Sequence, residues 1–220
     1  MSWMSRKSEL EKLPPAVEVM KKLLELPDRK TPEGLRDLLA LEVMYILGLR
    51  RAEVCGLTLD ALCLVRETLF VVGKGGHERL LPVSPHLKFV FQDYLFNGRP
   101  KLLPRPHLRA LLLDNEGRAL RVCQLHYIVK KYGRKLDLKL SCHQFRHACA
   151  VHLIEAGMGL PQVQQLLGHA NMNTTKIYTR ISRREMEREF QRCQVRTEGP
   201  DSIELRYVKR HDARKESPLP

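Results

Sequence analysis

Long hydrophobic runs are missing from this 220-residue chain. No apolar stretch approaches the roughly 20 residues of a bilayer-spanning helix, so no segment is a candidate span. The opening Met-Ser-Trp-Met-Ser-Arg-Lys-Ser-Glu lacks the apolar core of a secretory signal. Cysteine is sparse: Cys55, Cys63, Cys123, Cys142, Cys149 and Cys193 form no Cys-x-x-Cys pair and no disulfide scaffold. They read as reduced, mostly buried thiols. No Gly-x-x-x-x-Gly-Lys-[Ser/Thr] occurs, which excludes a P-loop nucleotide site. Internal repeats and low-complexity tracts are also absent. Acidic residues are in deficit, 25 against 38 Lys and Arg, for a formal charge of +13. Residues 196–220 carry six basic and five acidic side chains, so nearly all of the excess belongs to the preceding part. Such a charge suits a polyanion, with nucleic acid first and an anionic membrane surface second.

With 43% hydrophobic residues the chain can bury a core. The patterning predicts an α+β fold that is mainly α-helical, with one small antiparallel hairpin. Pro14-Pro15 opens a helix running to about Leu26. Thr31-Pro32-Glu33 supplies a cap, a proline at the first helical position and an early acid. Leu35, Leu38, Leu39, Val43, Met44 and Leu47 then form an apolar face, and Gly48 closes the helix. A short helix is expected over Arg51–Leu57. Thr68–Val72 and Arg79–Val83 are β-rich runs around Gly73-Lys-Gly-Gly76, the pattern of a hairpin. Ser84-Pro85 caps a helix ending near Asn97-Gly98, and a Pro-rich connector follows (Pro100, Pro104, Pro106). Leu111–Leu113 leads into a turn at Asp114–Gly117. Further helices are predicted at about 120–133, 142–156, 161–168 and 173–179. A capping box at Ser182 and Glu185 starts a last one to about Val195, with Met186, Phe190 and Cys193 near one side. One compact domain over 13–195 is expected, after an extension (1–12) and before a polar tail (196–220) in which 203–208 alternates like a strand.

The segment Ser141–Tyr178 holds the densest chemistry. His143 and Arg146 lie three apart, so on a helix they share a face and both reach one phosphate. Arginine suits that task because its rigid fork donates two parallel hydrogen bonds. His169 follows Gly168 at a helix end, and Tyr178 lies nine residues further on. Taken singly, that histidine is a helix cap and that tyrosine a half-buried packing residue. Upstream, Arg50 and Arg51 cannot be told apart by position alone. Glu53 is placed either to hold the Arg50 fork or to make an ordinary surface ion pair. Lys74 rides a Gly-rich hairpin, with His77 and Arg79 on the returning strand. His147 reads as a packing residue. A zinc site from His143, His147 and Cys149 matches no standard ligand spacing, and Arg146 beside it opposes a cation. No metal and no cofactor is expected.

Leu47-Gly-Leu-Arg-Arg-Ala-Glu, the Gly-Lys-Gly-Gly hairpin, His-Gln-Phe-Arg-His147 and Leu-Gly-His-(x)8-Tyr178, in this order, resemble the catalytic domain of tyrosine recombinases, the integrase family, in its Xer-like bacterial branch. The resemblance runs from about Leu13 to Val195. It implies that Tyr178 is a nucleophile forming a 3′-phosphotyrosyl bond and that Arg50, Arg146, His143 and His169 stabilise the transferring phosphate. It implies that Lys74 protonates the leaving oxygen. Arg51, His77, Arg79 and Lys176 are then candidate contacts to the DNA backbone. The implied partner is double-stranded DNA, bound by a homotetramer on two sites, with exchange of C-terminal segments between protomers as a candidate contact. The implied location is the cytoplasm, at the nucleoid. Family members usually carry a helical domain of about a hundred residues ahead of this region, where only a dozen stand here. The chain is therefore either part of a longer protein or a minimal recombinase like the short fimbrial phase-switch invertases. Two rivals share the residues: a type IB topoisomerase, which typically has lysine where His143 stands, and a catalytically silent DNA-binding factor.

Overall fold

A computed structural model of the protein describes residues 14–102, 108–168 and 183–193. The chain opens with α1 (Val17–Glu25), α2 (Pro32–Ile46) and α3 (Arg51–Cys55). Three short strands follow, β1 (Leu62–Cys63), β2 (Thr68–Val72) and β3 (Glu78–Pro82). The helices α4 (Pro85–Asp93), α5 (Arg99–Leu102), α6 (Val122–Lys135), α7 (Cys142–Glu155), α8 (Leu160–Leu167) and α9 (Arg183–Arg192) complete the described residues.

Helix α2 is the axis of the domain. Thr31 accepts the Gly34 N–H at 3.0 Å and Pro32 occupies the first turn, as the cap pattern predicts. The expected single apolar face proves too narrow, because every residue from Gly34 to Ile46 is buried. A helix buried all round must satisfy its polar residues internally. Arg36 donates to the Leu113 carbonyl at 3.2 Å and the Asn115 side chain at 2.7 Å. Asp37, with no exposed surface, accepts Arg36 Nη2 at 2.7 Å, Tyr132 Oη at 2.9 Å and Lys131 Nζ at 3.1 Å. This network ties α2 to α6 and to the loop before it. Around α2 pack α4, α5, α6 and α7, and α8 lies against α7.

Gly48 ends α2 with φ +59°, and a Cβ there would sit 2.2 Å from Leu167 Cδ2. Only glycine allows both the left-handed turn and this approach of α8.

The strands form an antiparallel sheet in the order β1-β2-β3. The β2–β3 hairpin follows the sequence pattern, with Val72 opposite Glu78 and Val71 opposite Arg79. Leu69 and Val71 face the core while Phe70 and Val72 face out. The sequence pattern does not predict β1, because two residues are too few to show an alternation. Helix α4 does not stop near Asn97-Gly98. It widens through a π turn at Tyr94–Gly98 and continues into α5 across Pro100. The wider turn relieves the clash between a proline ring and the carbonyl one turn earlier.

The turn at Asp114–Gly117 forms as predicted, with the Gly117 N–H on the Asp114 carbonyl at 3.1 Å. Three of the six cysteines are buried and none is bonded to another; Cys123 is exposed. Among the described residues no helix is long and apolar enough to cross a membrane. The predicted helix at 173–179, the strand at 203–208 and the extension 1–12 lie outside the described residues.

Asp37→Ala leaves Arg36 without its carboxylate in a dry interior. Breaking a buried pair costs about 3–5 kcal/mol, so a marked drop of the urea unfolding midpoint is expected. An unchanged midpoint would show that the Asp37 network does not hold α2 to α6.

Candidate active site

Three arginines from three elements converge on the end of one helix. Arg50 is the N-cap of α3, with its side chain 39% exposed. Arg79 comes from β3 and Arg146 from the middle of α7. The last carbonyls of α8 receive them in sequence. Arg79 Nε donates to Leu166 O at 3.1 Å, Arg146 Nη2 to Leu167 O at 2.7 Å and Arg50 Nη2 to Gly168 O at 3.3 Å. Those carbonyls carry the negative end of the helix dipole, which suits cations. Gly168 takes φ +64°, the left-handed conformation that closes the helix.

One carboxylate organises the cluster. Glu53, at the third position of α3, accepts the Arg50 backbone N–H at 2.8 Å and Arg50 Nη1 at 3.1 Å. Arg79 grips the same carboxylate with both ends of its fork, at 2.9 and 2.8 Å. Burial alone would raise the Glu53 pKa, but the Arg79 hydrogen bonds, the Arg50 backbone N–H and the Arg79 charge outweigh it. The group is held below its ordinary value near 4.5. Arg146 is buried and also donates to the Gly48 carbonyl at 2.6 Å. Burial first, and then the charges of Arg50 and Arg79, bring its pKa down to about 10. It therefore stays protonated at neutral pH. Three guanidinium groups face one carboxylate, so the cluster keeps a positive excess for an anion such as phosphate.

The other sequence candidates fall into three groups. His143, one residue into α7, is exposed, and Arg146 lies three residues on, as the spacing requires. Arg51 and His77 are exposed and available to an extended partner. His147 is exposed too, which corrects its reading as a packing residue: α7 turns that position away from the core. Lys74 lies in the 3₁₀ turn joining β2 to β3, where Gly75 and Gly76 both take positive φ. His169, Lys176 and Tyr178 lie outside the described residues. Among the described residues no group of three or more His, Cys, Asp or Glu is placed to hold a metal ion.

Arg79 is the residue whose place differs most from expectation. The sequence pattern offers it, with His77, as a contact to the DNA backbone, whereas its side chain is 12% exposed and turned inward. The signal lay in the period of two: Leu81 is a core residue, and Arg79 shares its face of β3. The backbone carbonyls that receive the arginines had no sequence signal at all.

The Phage integrase family model matches residues 16–185. Tyrosine recombinase XerD of Lacticaseibacillus casei is 39% identical over 166 residues, covering 74% of this chain and 57% of that protein. Tyrosine recombinase XerC of Natranaerobius thermophilus is 38% identical over 177 residues, covering 78% and 59%. The structure of XerH site-specific recombinase bound to difH substrate in a pre-cleavage complex is 27% identical, with a TM-score of 0.62 over 76% of this chain and 51% of that one. The integrase of mycobacterium phage Brujita shares the fold at 24% identity and a TM-score of 0.62, over 87% of this chain and 64% of that one. The chain thus spans less than two thirds of the length of these relatives.

The Glu53 pKa, lowered by folding, fixes the sign of a pH effect. Its stabilisation is complete above the unfolded carboxylate value and is lost as pH falls through the folded one. Chemical unfolding of the native protein should therefore lose stability on acidification below about pH 4.5, and Glu53→Gln should flatten that part of the profile. Parallel profiles for the two proteins would refute the assignment.

Proposed function

The chain belongs to the phage integrase family, and from that membership we propose that it is a site-specific DNA recombinase that cuts and rejoins strands through a phosphotyrosyl intermediate. The observation that carries the proposal is the arginine cluster on Glu53 and the α8 carbonyl end, an anion-binding centre beside a family-matched histidine. The Tyr178 oxygen attacks the scissile phosphorus, its proton passing to His143, and a 3′-phosphotyrosyl bond forms as the bond to the 5′ oxygen breaks. Lys74 gives its proton to that leaving oxygen. Arg50 and Arg146 neutralise charge building on the non-bridging oxygens, with His143 and His169 as further hydrogen-bonding partners. Stabilisation of this kind is commonly the largest part of such rate enhancements. The bond energy stays in the covalent link, so the hydroxyl of a partner strand reverses the step and joins the ends. The chemistry draws on neither metal nor nucleotide.

The named relatives are recombinases, which lends no support to the topoisomerase or silent-binder readings. Double-stranded DNA is the proposed substrate, drawn by the +13 charge. Two duplexes demand four active sites, hence a homotetramer acting on DNA in the cytoplasm, at the nucleoid. Helix α9 lies on its own domain: Met186, Phe190 and Cys193 are buried, and Arg192 Nη2 reaches the Gly157 carbonyl at 3.1 Å. Exchange between protomers is therefore proposed for the chain beyond α9.

Covalent trapping tests the chemistry. Incubation with a supercoiled library of candidate sites, followed by SDS, should yield protein-linked DNA from the native protein and none from Tyr178→Phe. An adduct that persists in the variant would remove Tyr178 as nucleophile. Deleting residues 197–220 should weaken assembly on paired sites while leaving single-strand cleavage intact. Unchanged assembly would rule out the proposed exchange.

A further inference from the structure

The β3 arginine does more than line a surface. Every nitrogen of the Arg79 guanidinium is committed: Nε to the Leu166 carbonyl at 3.1 Å, Nη1 and Nη2 to the two Glu53 oxygens at 2.9 and 2.8 Å. The ion pair it makes has both partners largely out of water, 12% and 3% exposed. Two glycines mark how tightly the chain closes around it. A Cβ on Gly73, the residue before Lys74, would lie 3.2 Å from Glu53 Oε1 and 3.4 Å from Arg79 Nη1. A Cβ on Gly168, the residue before His169, would lie 3.1 Å from Arg79 Nη1. One side chain therefore touches the root of the Lys74 hairpin, the carboxylate that holds Arg50, and the helix end that leads into His169.

We infer that Arg79 is a positioning residue that fastens the Lys74 hairpin, the Arg50 box and the end of α8 into one rigid unit. It does not touch the transferring phosphate; it acts through Glu53 and through the Leu166 carbonyl. The reason is geometric. A planar fork with donors set at fixed angles in one plane fixes distance and orientation together, which a lysine ammonium at the same place does not. Misplacing reacting groups by about 1 Å costs on the order of a hundredfold in rate, so a fastener at this joint governs chemistry it never contacts. The charged groups facing Glu53 are Arg50 from α3, Arg79 from β3 and Arg146 from α7.

This inference rests on the recombinase reading for its rate effects, and its test is built to separate the two. The DNA site recovered by Tyr178 trapping serves as a single-turnover substrate for the native protein, Arg79→Met, Glu53→Gln, the double variant and Arg79→Lys. Each single loss is expected to slow adduct formation about tenfold to a hundredfold. The double variant should be no slower than the slower single, because both changes cut the same connection. Arg79→Lys should recover only part of the rate. In Arg79→Met the acid-side fall of the rate should move to higher pH, since Glu53 stays buried but loses its stronger partner. Multiplying effects in the double variant, a native rate in Arg79→Met, or a defect that vanishes at saturating DNA would each overturn the inference.

Amide hydrogen exchange on the free protein supplies a readout independent of activity. Arg79→Met should expose Gly73, Arg50 and Gly168 to exchange together while α2 stays protected. Unchanged exchange at these amides would also overturn the inference. Should the native protein give no adduct, the recombinase reading falls, and the exchange pattern alone decides whether Arg79 is the fastener.

Discussion

Two guanidinium groups sharing the Glu53 carboxylate are the contact on which the rest of this site depends. Guanidinium ions brought together in a dry pocket repel one another and lose hydration, so they stay only where negative groups hold them. Here, among the described residues, Glu53 supplies the full negative charge and the α8 terminus supplies partial ones. The arrangement leaves Arg50 part-exposed at the surface and Arg146 buried behind it. A neutral residue at 53 would remove the opposing charge while keeping the crowding. The cluster thus gathers three guanidinium groups around one carboxylate and keeps a positive excess.

The supports of the pocket are buried parts of the fold. Helix α2 ends at Gly48, whose carbonyl anchors Arg146 at 2.6 Å and whose missing side chain admits Leu167. The same helix is fixed at its other end by Asp37, which takes donors from α6 as well as from its own neighbour Arg36. Displacement of α2 would move Gly48, and with it both the Arg146 anchor and the seat of α8. Rigidity in the core and precision at the surface are one property here, since close-packed interiors transmit small shifts.

The hairpin adds a lighter element to this frame. Its strands carry one apolar face inward, while the turn at Lys74–Gly76 carries only glycines beside the lysine. Connecting turns of this kind are generally more mobile than the elements they join. Arg79 fixes the root of the hairpin on the inner face, so freedom at the tip does not spread to the arginines. Arg79, one of the 38 Lys and Arg, is thereby paired internally, while Arg51 and His77 remain exposed.

The sequence by itself determined the helical scaffold, the hairpin and the residue types of the site. Those signals are local: a cap at Thr31, glycines at 48 and 168, the β-rich run Thr68–Val72, and His143 spaced three from Arg146. Only the tertiary structure decided which residues the charged groups would answer to. Asp37 and Arg36 look like surface residues of an amphipathic helix until α6 and the 113–115 loop close over them. Glu53 suited a surface pair or a clamp equally well until β3 delivered Arg79 to its other side. Arg79 read as an outward contact because its partners lie 26 and 87 positions away, one of them a main-chain carbonyl. Local patterns record the conformation a segment prefers; the partner of a charge depends on which distant segments folding brings beside it, and no short stretch of sequence encodes that.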